Sequence, residues 1–371
     1  MSTYDNAIAK GERSAGIDLF KIISMLMVVV LHALGAGGVL NSLQAKSVAW
    51  FMFGGLESVC IIAVNCFALT SGFLYVGKKI KIKNIFSLYL QVLFYSLVIS
   101  AVVFAFKPAT FSIKELLNQI LPILSGRYWY FSAYFILFLT MPLLNIILDK
   151  ADKSFMIVTL IGAVALFGIY VFCGNYVFGD VFHIEGGYSF VWLAVCYLIG
   201  GAIKKYDIKN LLKACSWFLL YLASTLLSFI AAFVFSALRG YVSLPYINNY
   251  NFLLNLLSSV FLLLFFARIE IKPNKVVSYI AKASFGVYLF HEQKLLKNIA
   301  ITDKFIFVTD LSPIFGLLVI LGSVLAIYIV GTLIEIARQY LFKLIKLNKL
   351  SQKVDDKVVS VYEKLKQKLD K

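Results

Sequence analysis

Apolar residues in this chain come in blocks of about twenty, separated by short polar stretches, and that spacing limits the fold more than any other feature of the sequence. A helix rising 1.5 Å per residue needs a block of this length to cross a hydrocarbon core of about 30 Å. In lipid, only helices and closed barrels satisfy their own backbone groups, and a barrel would show alternating ten-residue segments instead. The sequence therefore predicts an all-α polytopic membrane protein with about ten transmembrane helices. The expected spans are 17–38, 48–75, 84–106, 128–147, 155–173, 188–203, 212–238, 252–267, 278–299 and 313–341.

The positive-inside rule gives the orientation. With the N-terminus in the cytoplasm, the inner segments collect Lys10 and Arg13, then Lys78, Lys79, Lys81 and Lys83, then Lys150 and Lys153. Further inner groups are Lys204, Lys205, Lys209 and Lys213, then Arg268, Lys272, Lys275 and Lys282, and the basic tail. The outer segments hold only Lys46, Lys107, Lys114, Arg127, Arg239, Lys294, Lys297 and Lys304. Both termini are expected in the cytoplasm, with a short segment 1–16, a membrane domain 17–341 and a tail 342–371. The net charge of +16 is then assigned to topology and anionic lipid, and no nucleic-acid partner is expected. Lys10 and Arg13 before the first block resemble a signal-peptide flank, but Asp18, Lys21 and His32 inside that block argue against one.

Two segments outside the spans have helical signals. Ser112 followed by Glu115 reads as a capping box, with Ile113, Leu116, Leu117, Ile120 and Leu121 forming an apolar stripe that ends at Pro122. In the tail, Leu350, Val354, Val358, Val361, Leu365 and Leu369 recur at helical spacing between lysines, the pattern of a cytoplasmic helix lying on anionic lipid or of a weak self-association helix. The five cysteines show no metal-ligand spacing and read as small core residues, so neither a metal site nor a disulfide framework is expected.

Titratable groups inside spans are costly and by default mark a site or pathway. Lys21 and His32 are eleven residues apart, about three turns, so they share one helix face about 16 Å apart. Asp18 precedes Lys21 by one turn. The expected depth of His291, followed by Glu292, matches that of His32, and Glu57 falls in the same outer half. Arg127, Trp129 and Tyr130 open the fourth span at the outer surface. A neutral imidazole titrates in a range that suits His32 to accept a proton. The same intramembrane charges also suit a flippase, a polymerase or a proton-coupled transporter.

The run Ile17-Asp18-Leu19-Phe20-Lys21, with the apolar stretch ending Val28-Val29-Val30-Leu31-His32, resembles the first helix of acyltransferase family 3, whose signature is a basic residue, ten residues, then histidine. Three further stretches are similar to that family: Val64-Asn65-Cys66-Phe67-Ala68-Leu69-Thr70-Ser71-Gly72-Phe73, Tyr128-Trp129-Tyr130 through Pro142 and Asn145, and Ser284-Phe285-Gly286-Val287-Tyr288-Leu289-Phe290-His291. The third helix lacks the paired arginines of some members and has Tyr89, Gln91 and Tyr95 there. The esterase-like domain fused to some members is also absent.

The resemblance implies a ten-helix enzyme of the bacterial cytoplasmic membrane. It would transfer an acyl group, usually acetyl, from cytoplasmic acyl-CoA as co-substrate to a hydroxyl of an extracytoplasmic or lipid-linked glycan. No permanently bound cofactor is implied. His32, Lys21 and Asp18 are the expected catalytic set, with His32 either the base that takes the hydroxyl proton or a transient acyl carrier. Glu57, Asn65, Ser71, Arg127, Trp129, Tyr288, His291 and Glu292 are expected to bind donor or acceptor. Lys78, Lys79, Lys81 and Lys83 are placed to attract the CoA phosphates, although topology alone also accounts for them.

Overall fold

The computed structural model describes residues 14–170, 173–174, 178–180, 182–238 and 249–369. Lys10, Arg13 and Arg239 lie outside the described residues, as do most of segment 1–16 and the side chains of Leu365 and Leu369. Among the described residues the chain is helical and has no strand.

The membrane domain begins with α1 (Ala15–Leu34), capped by Ser14, and a one-turn helix Val39–Ser42. The second apolar block is two helices, α2 (Val48–Cys60) and α3 (Ala63–Tyr75), with the break at Ile61 and Ile62. Then follow α4 (Ile82–Phe106), α5 (Ile113–Ile120), α6 (Trp129–Lys150) and α7 (Lys153–Ala163), which continues as a π-helix through Tyr170. The remaining helices are α8 (Phe190–Lys205), α9 (Ala214–Leu238), α10 (Leu253–Arg268), α11 (Lys275–His291), α12 (Lys294–Ala300), α13 (Pro313–Leu344) and α14 (Leu347–Leu369). Among the described residues, seven helical segments are long and apolar enough to cross a bilayer. α8, α10 and α11 are shorter, at 16, 16 and 17 residues.

α1 lies at the centre, packed against α3, α10, α11 and α13. The tightest pairing is α3 on α8, and glycine makes it possible. A Cβ on Gly72 would come within 1.9 Å of the Tyr197 carbonyl oxygen, and one on Gly200 within 2.0 Å of that of Leu69. Without a hydrophobic drive between helices in lipid, such close backbone approach is a main source of association. Asn65 adds a polar tie at the same seam: its Nδ2 donates to the Tyr250 carbonyl at 2.8 Å, and its Oδ1 accepts from Trp192 Nε1 at 2.9 Å.

The sequence placed the ninth span at 278–299, but α11 stops at His291. Gln293 then caps a separate short helix, accepting from Leu296 N at 2.9 Å. The polar run Glu292-Gln293-Lys294 is the physical reason, since it ends the apolar face one residue after the histidine. The expected capping box is present at α5, where Ser112 Oγ accepts from Glu115 N at 3.0 Å. The Glu115 carboxylate binds Arg127 Nη2 at 2.5 Å and Gln119 Nε2 at 2.5 Å. Cys60, Cys66 and Cys196 are buried as expected, whereas Cys173 and Cys215 are exposed.

The tail helix packs on the start of α4. Lys83 N donates to Asp355 Oδ1 at 3.1 Å, Lys83 Nζ to Gln352 Oε1 at 2.9 Å, and Ser87 Oγ to Ser351 Oγ at 3.0 Å.

Candidate active site

α1 and α11 pack directly against each other and bring the ends of two distant segments together. His32 occupies the last turn of α1, and His291 is the last residue of α11. His32 Nδ1 lies 2.9 Å from His291 Nε2 and 3.1 Å from Glu292 Oε2. The other nitrogen of His291, Nδ1, is 2.7 Å from the Val287 carbonyl oxygen, one turn back in its own helix. Lys297 Nζ reaches both oxygens of Glu292 at 2.8 Å.

These partners determine the tautomers of two neutral rings. A carbonyl oxygen only accepts, so Nδ1 of His291 carries its proton and Nε2 presents a lone pair. The proton between the rings therefore belongs to His32 Nδ1. That leaves His32 Nε2 as the unprotonated nitrogen, the form a base or a nucleophile requires. Glu292 accepts from the same Nδ1–H and is positioned to balance positive charge formed on His32 during a reaction. The partial negative charge at the C-terminal end of α1 acts in the same sense.

His32 lines a cavity of about 430 Å³. Lys21, Met25, Val28, Leu31 and His32 all face it, so one stripe of α1 forms a wall about 16 Å long from Lys21 to the imidazole. Lys282 joins Lys21 in the lining, and Ser71, Trp129, Tyr130, Tyr134 and Tyr288 line it too. Ser71 Oγ donates to the Phe67 carbonyl at 2.9 Å and accepts from the Tyr134 hydroxyl at 3.0 Å. The hydroxyls of Tyr130 and Tyr288 are buried and have no hydrogen-bond partner among the described residues. Orphaned buried hydroxyls in a cavity wall suit a ligand that carries its own polar groups.

A second cavity, of about 460 Å³, is polar and lies on the side of the loops expected outside. Asn118, Ser125, Arg127, Trp129, Glu292, Lys294, Lys297 and Asn298 line it. Trp129 borders both cavities, and its ring packs on Tyr188 at 4.4 Å between centroids. The His32–Glu292 contact likewise joins a residue of the inner cavity to one of the outer.

The expected site residues thus divide. Lys21, Ser71, Trp129, Tyr288 and His32 line the inner cavity, and Arg127, Trp129 and Glu292 the outer one. His291, 1% exposed, lines neither and supports His32. Asp18, Glu57 and Asn65 are buried away from both linings. Asn65 holds helices together, as described above.

Several residues were missed from sequence. Lys297 was counted only as an outer charge, and Lys282 only as an inner one. A third omission is the pair Glu335 and Arg338 in α13, joined at 2.6 and 2.8 Å and buried. Glu335 also accepts from Tyr95 at 2.9 Å and Gln91 at 3.1 Å, so an arginine from the last span stands beside the third-span positions that lack one. Two charges three residues apart inside an apolar block are a signal the sequence does contain.

Searches among curated proteins and solved structures found no match for the chain. The family model of an acyltransferase domain matches residues 14–333, nearly the whole chain. It takes in His32, His291, the linings of both cavities and the helices from α1 into α13, and the chain belongs to acyltransferase family 3.

Proposed function

We propose that this membrane acyltransferase moves an acyl group, most simply acetyl, from cytoplasmic acyl-CoA to a hydroxyl of an extracytoplasmic or lipid-linked glycan, in the cytoplasmic membrane of a bacterium. The observation that carries the reading is His32, held through Nδ1 by His291 with Nε2 left free, in the lining of a cavity that Lys21 and Lys282 also line.

Lys21 and Lys282 hold the charged head of the donor, and the pantetheine arm extends along the α1 stripe toward the imidazole. About 16 Å of helix separates the two ends, a distance such an arm spans when extended. As the acceptor hydroxyl attacks the thioester carbonyl, His32 Nε2 removes its proton. The tetrahedral intermediate collapses, the C–S bond breaks, and the proton leaves with the CoA thiolate. Tyr130 and Tyr288, with unpartnered hydroxyls, are the candidate donors to the developing oxyanion. Glu292 balances the imidazolium, in the way the carboxylate of a triad does.

Membership of an acyltransferase family weighs against the flippase, polymerase and transporter alternatives. A deletion strain fed labelled acetate tests the reading. Label should vanish from the surface glycan while glycan amount and length stay constant; a change in length or amount with label retained favours a glycan-handling carrier.

A further inference from the structure

The outer cavity has an unusual charge for its side of the membrane. Loops outside are depleted of lysine and arginine because such residues impede their translocation. This chain places eight there by the expected topology, and three of them, Arg127, Lys294 and Lys297, converge on this one cavity. Arg127 is bound by Glu115 and Lys297 by Glu292. Among the described residues no carboxylate pairs with Lys294. The remaining lining is amide, hydroxyl and indole, from Asn118, Asn298, Ser125 and Trp129, a set that suits saccharide hydroxyls and one sugar face.

Resting on the reading above, we propose that this cavity is the acceptor site and that it selects saccharides bearing an anionic group, carboxylate or phosphate. The cation excess draws and orients the anion. Lys297 also fixes Glu292, which accepts from His32 Nδ1, and Trp129 borders both cavities, so a saccharide anchored here by its anion reaches past Trp129 to present its hydroxyl to the free Nε2 on the inner side. A neutral glycan would leave Lys294 unanswered, and would gain nothing from a cluster that membrane insertion disfavours.

The test uses full-length enzyme in liposomes, with acetyl-CoA and three acceptors matched in sugar: neutral, uronate and glycosyl phosphate. The inference predicts a KM about three- to ten-fold lower for at least one anionic acceptor than for the neutral one, rising with salt. Comparison of uronate with phosphate identifies the source of the charge. Lys294→Gln should raise the anionic acceptor's KM by a similar factor, leave the neutral acceptor's KM alone, and leave the acetyl-CoA KM unchanged. Equal KM values for all three acceptors in the wild type, or a Lys294→Gln effect that does not distinguish them, overturns the inference while the transferase reading stands. Absence of transfer from wild-type enzyme to all three acceptors overturns both.

Discussion

The imidazoles of His32 and His291, 259 residues apart in the chain, meet at 2.9 Å through a nitrogen of each ring, and the Val287 carbonyl behind His291 sets which ring holds the proton. The arrangement makes His291 a positioning residue: it engages Nδ1 of His32 and leaves Nε2 free, and His32 lines the inner cavity while His291 does not.

His291→Ala should therefore lower kcat by about ten- to a hundred-fold, the range seen when an orienting partner of a functional histidine is lost. The acyl-CoA KM should stay near the wild-type value. His291→Gln, whose side-chain oxygen can accept from His32 Nδ1, should recover part of the rate. Steady-state kinetics with both substrates varied make the check; a rise in donor KM with kcat intact would show that His291 contacts the donor instead.

Lys21→Ala should raise the acyl-CoA KM by about ten-fold or more while the protein level in the membrane holds, because a charge-assisted contact to the donor head is lost. Lys21→Arg should retain part of the affinity, since the charge remains and its geometry changes. Lys282→Ala should act on the same parameter. An unchanged donor KM in Lys21→Ala would make Lys21 a snorkelling membrane anchor.

At the α3–α8 seam, Gly200→Ala forces a methyl within 2.0 Å of the Leu69 carbonyl. The helices must separate, at a cost of roughly 1–3 kcal/mol or more. Gly55→Ala is the control, with nothing within 4 Å of the added atom. Thermal unfolding in detergent should show a clear fall in Tm for the first and little change for the second; equal Tm values would mean the seam is looser than described.

Ten spans with both termini inside remain the expected topology. Reporter fusions after residues 40, 80 and 371 should read outside, inside and inside. An outside-active fusion at 371 would rule out the even count.

Much of the fold was legible because lipid imposes a crude and dependable rule on sequence. Every expected block contains a helix, and the Lys21–His32 spacing put both residues on the stripe that lines the inner cavity. What escaped was local. Nothing in Cys60-Ile61-Ile62-Ala63 is polar or helix-breaking, so the break between α2 and α3 follows from tertiary packing and gave no sequence signal. His32 and His291 were matched in depth, but depth does not specify contact, and only the packing of α1 on α11 shows that they share a proton. Lys297 was read as topology because a lysine outside a span has that role by default; its grip on Glu292 is a tertiary fact. Glu335 and Arg338 do carry a sequence signal, two charges one turn apart, which the apolar average of α13 masks.

The central claim is that His32 Nε2 takes the acceptor's proton, and the most direct measurement is acyl transfer by purified His32→Ala and His32→Gln enzymes in liposomes. Loss of a general base costs about 10²–10⁴ in rate. Both variants, folded by the same Tm criterion and still binding acyl-CoA, should fall to background, glutamine included, because an amide hydrogen-bonds but does not accept the proton. Transfer by either variant at near wild-type rate would contradict the account.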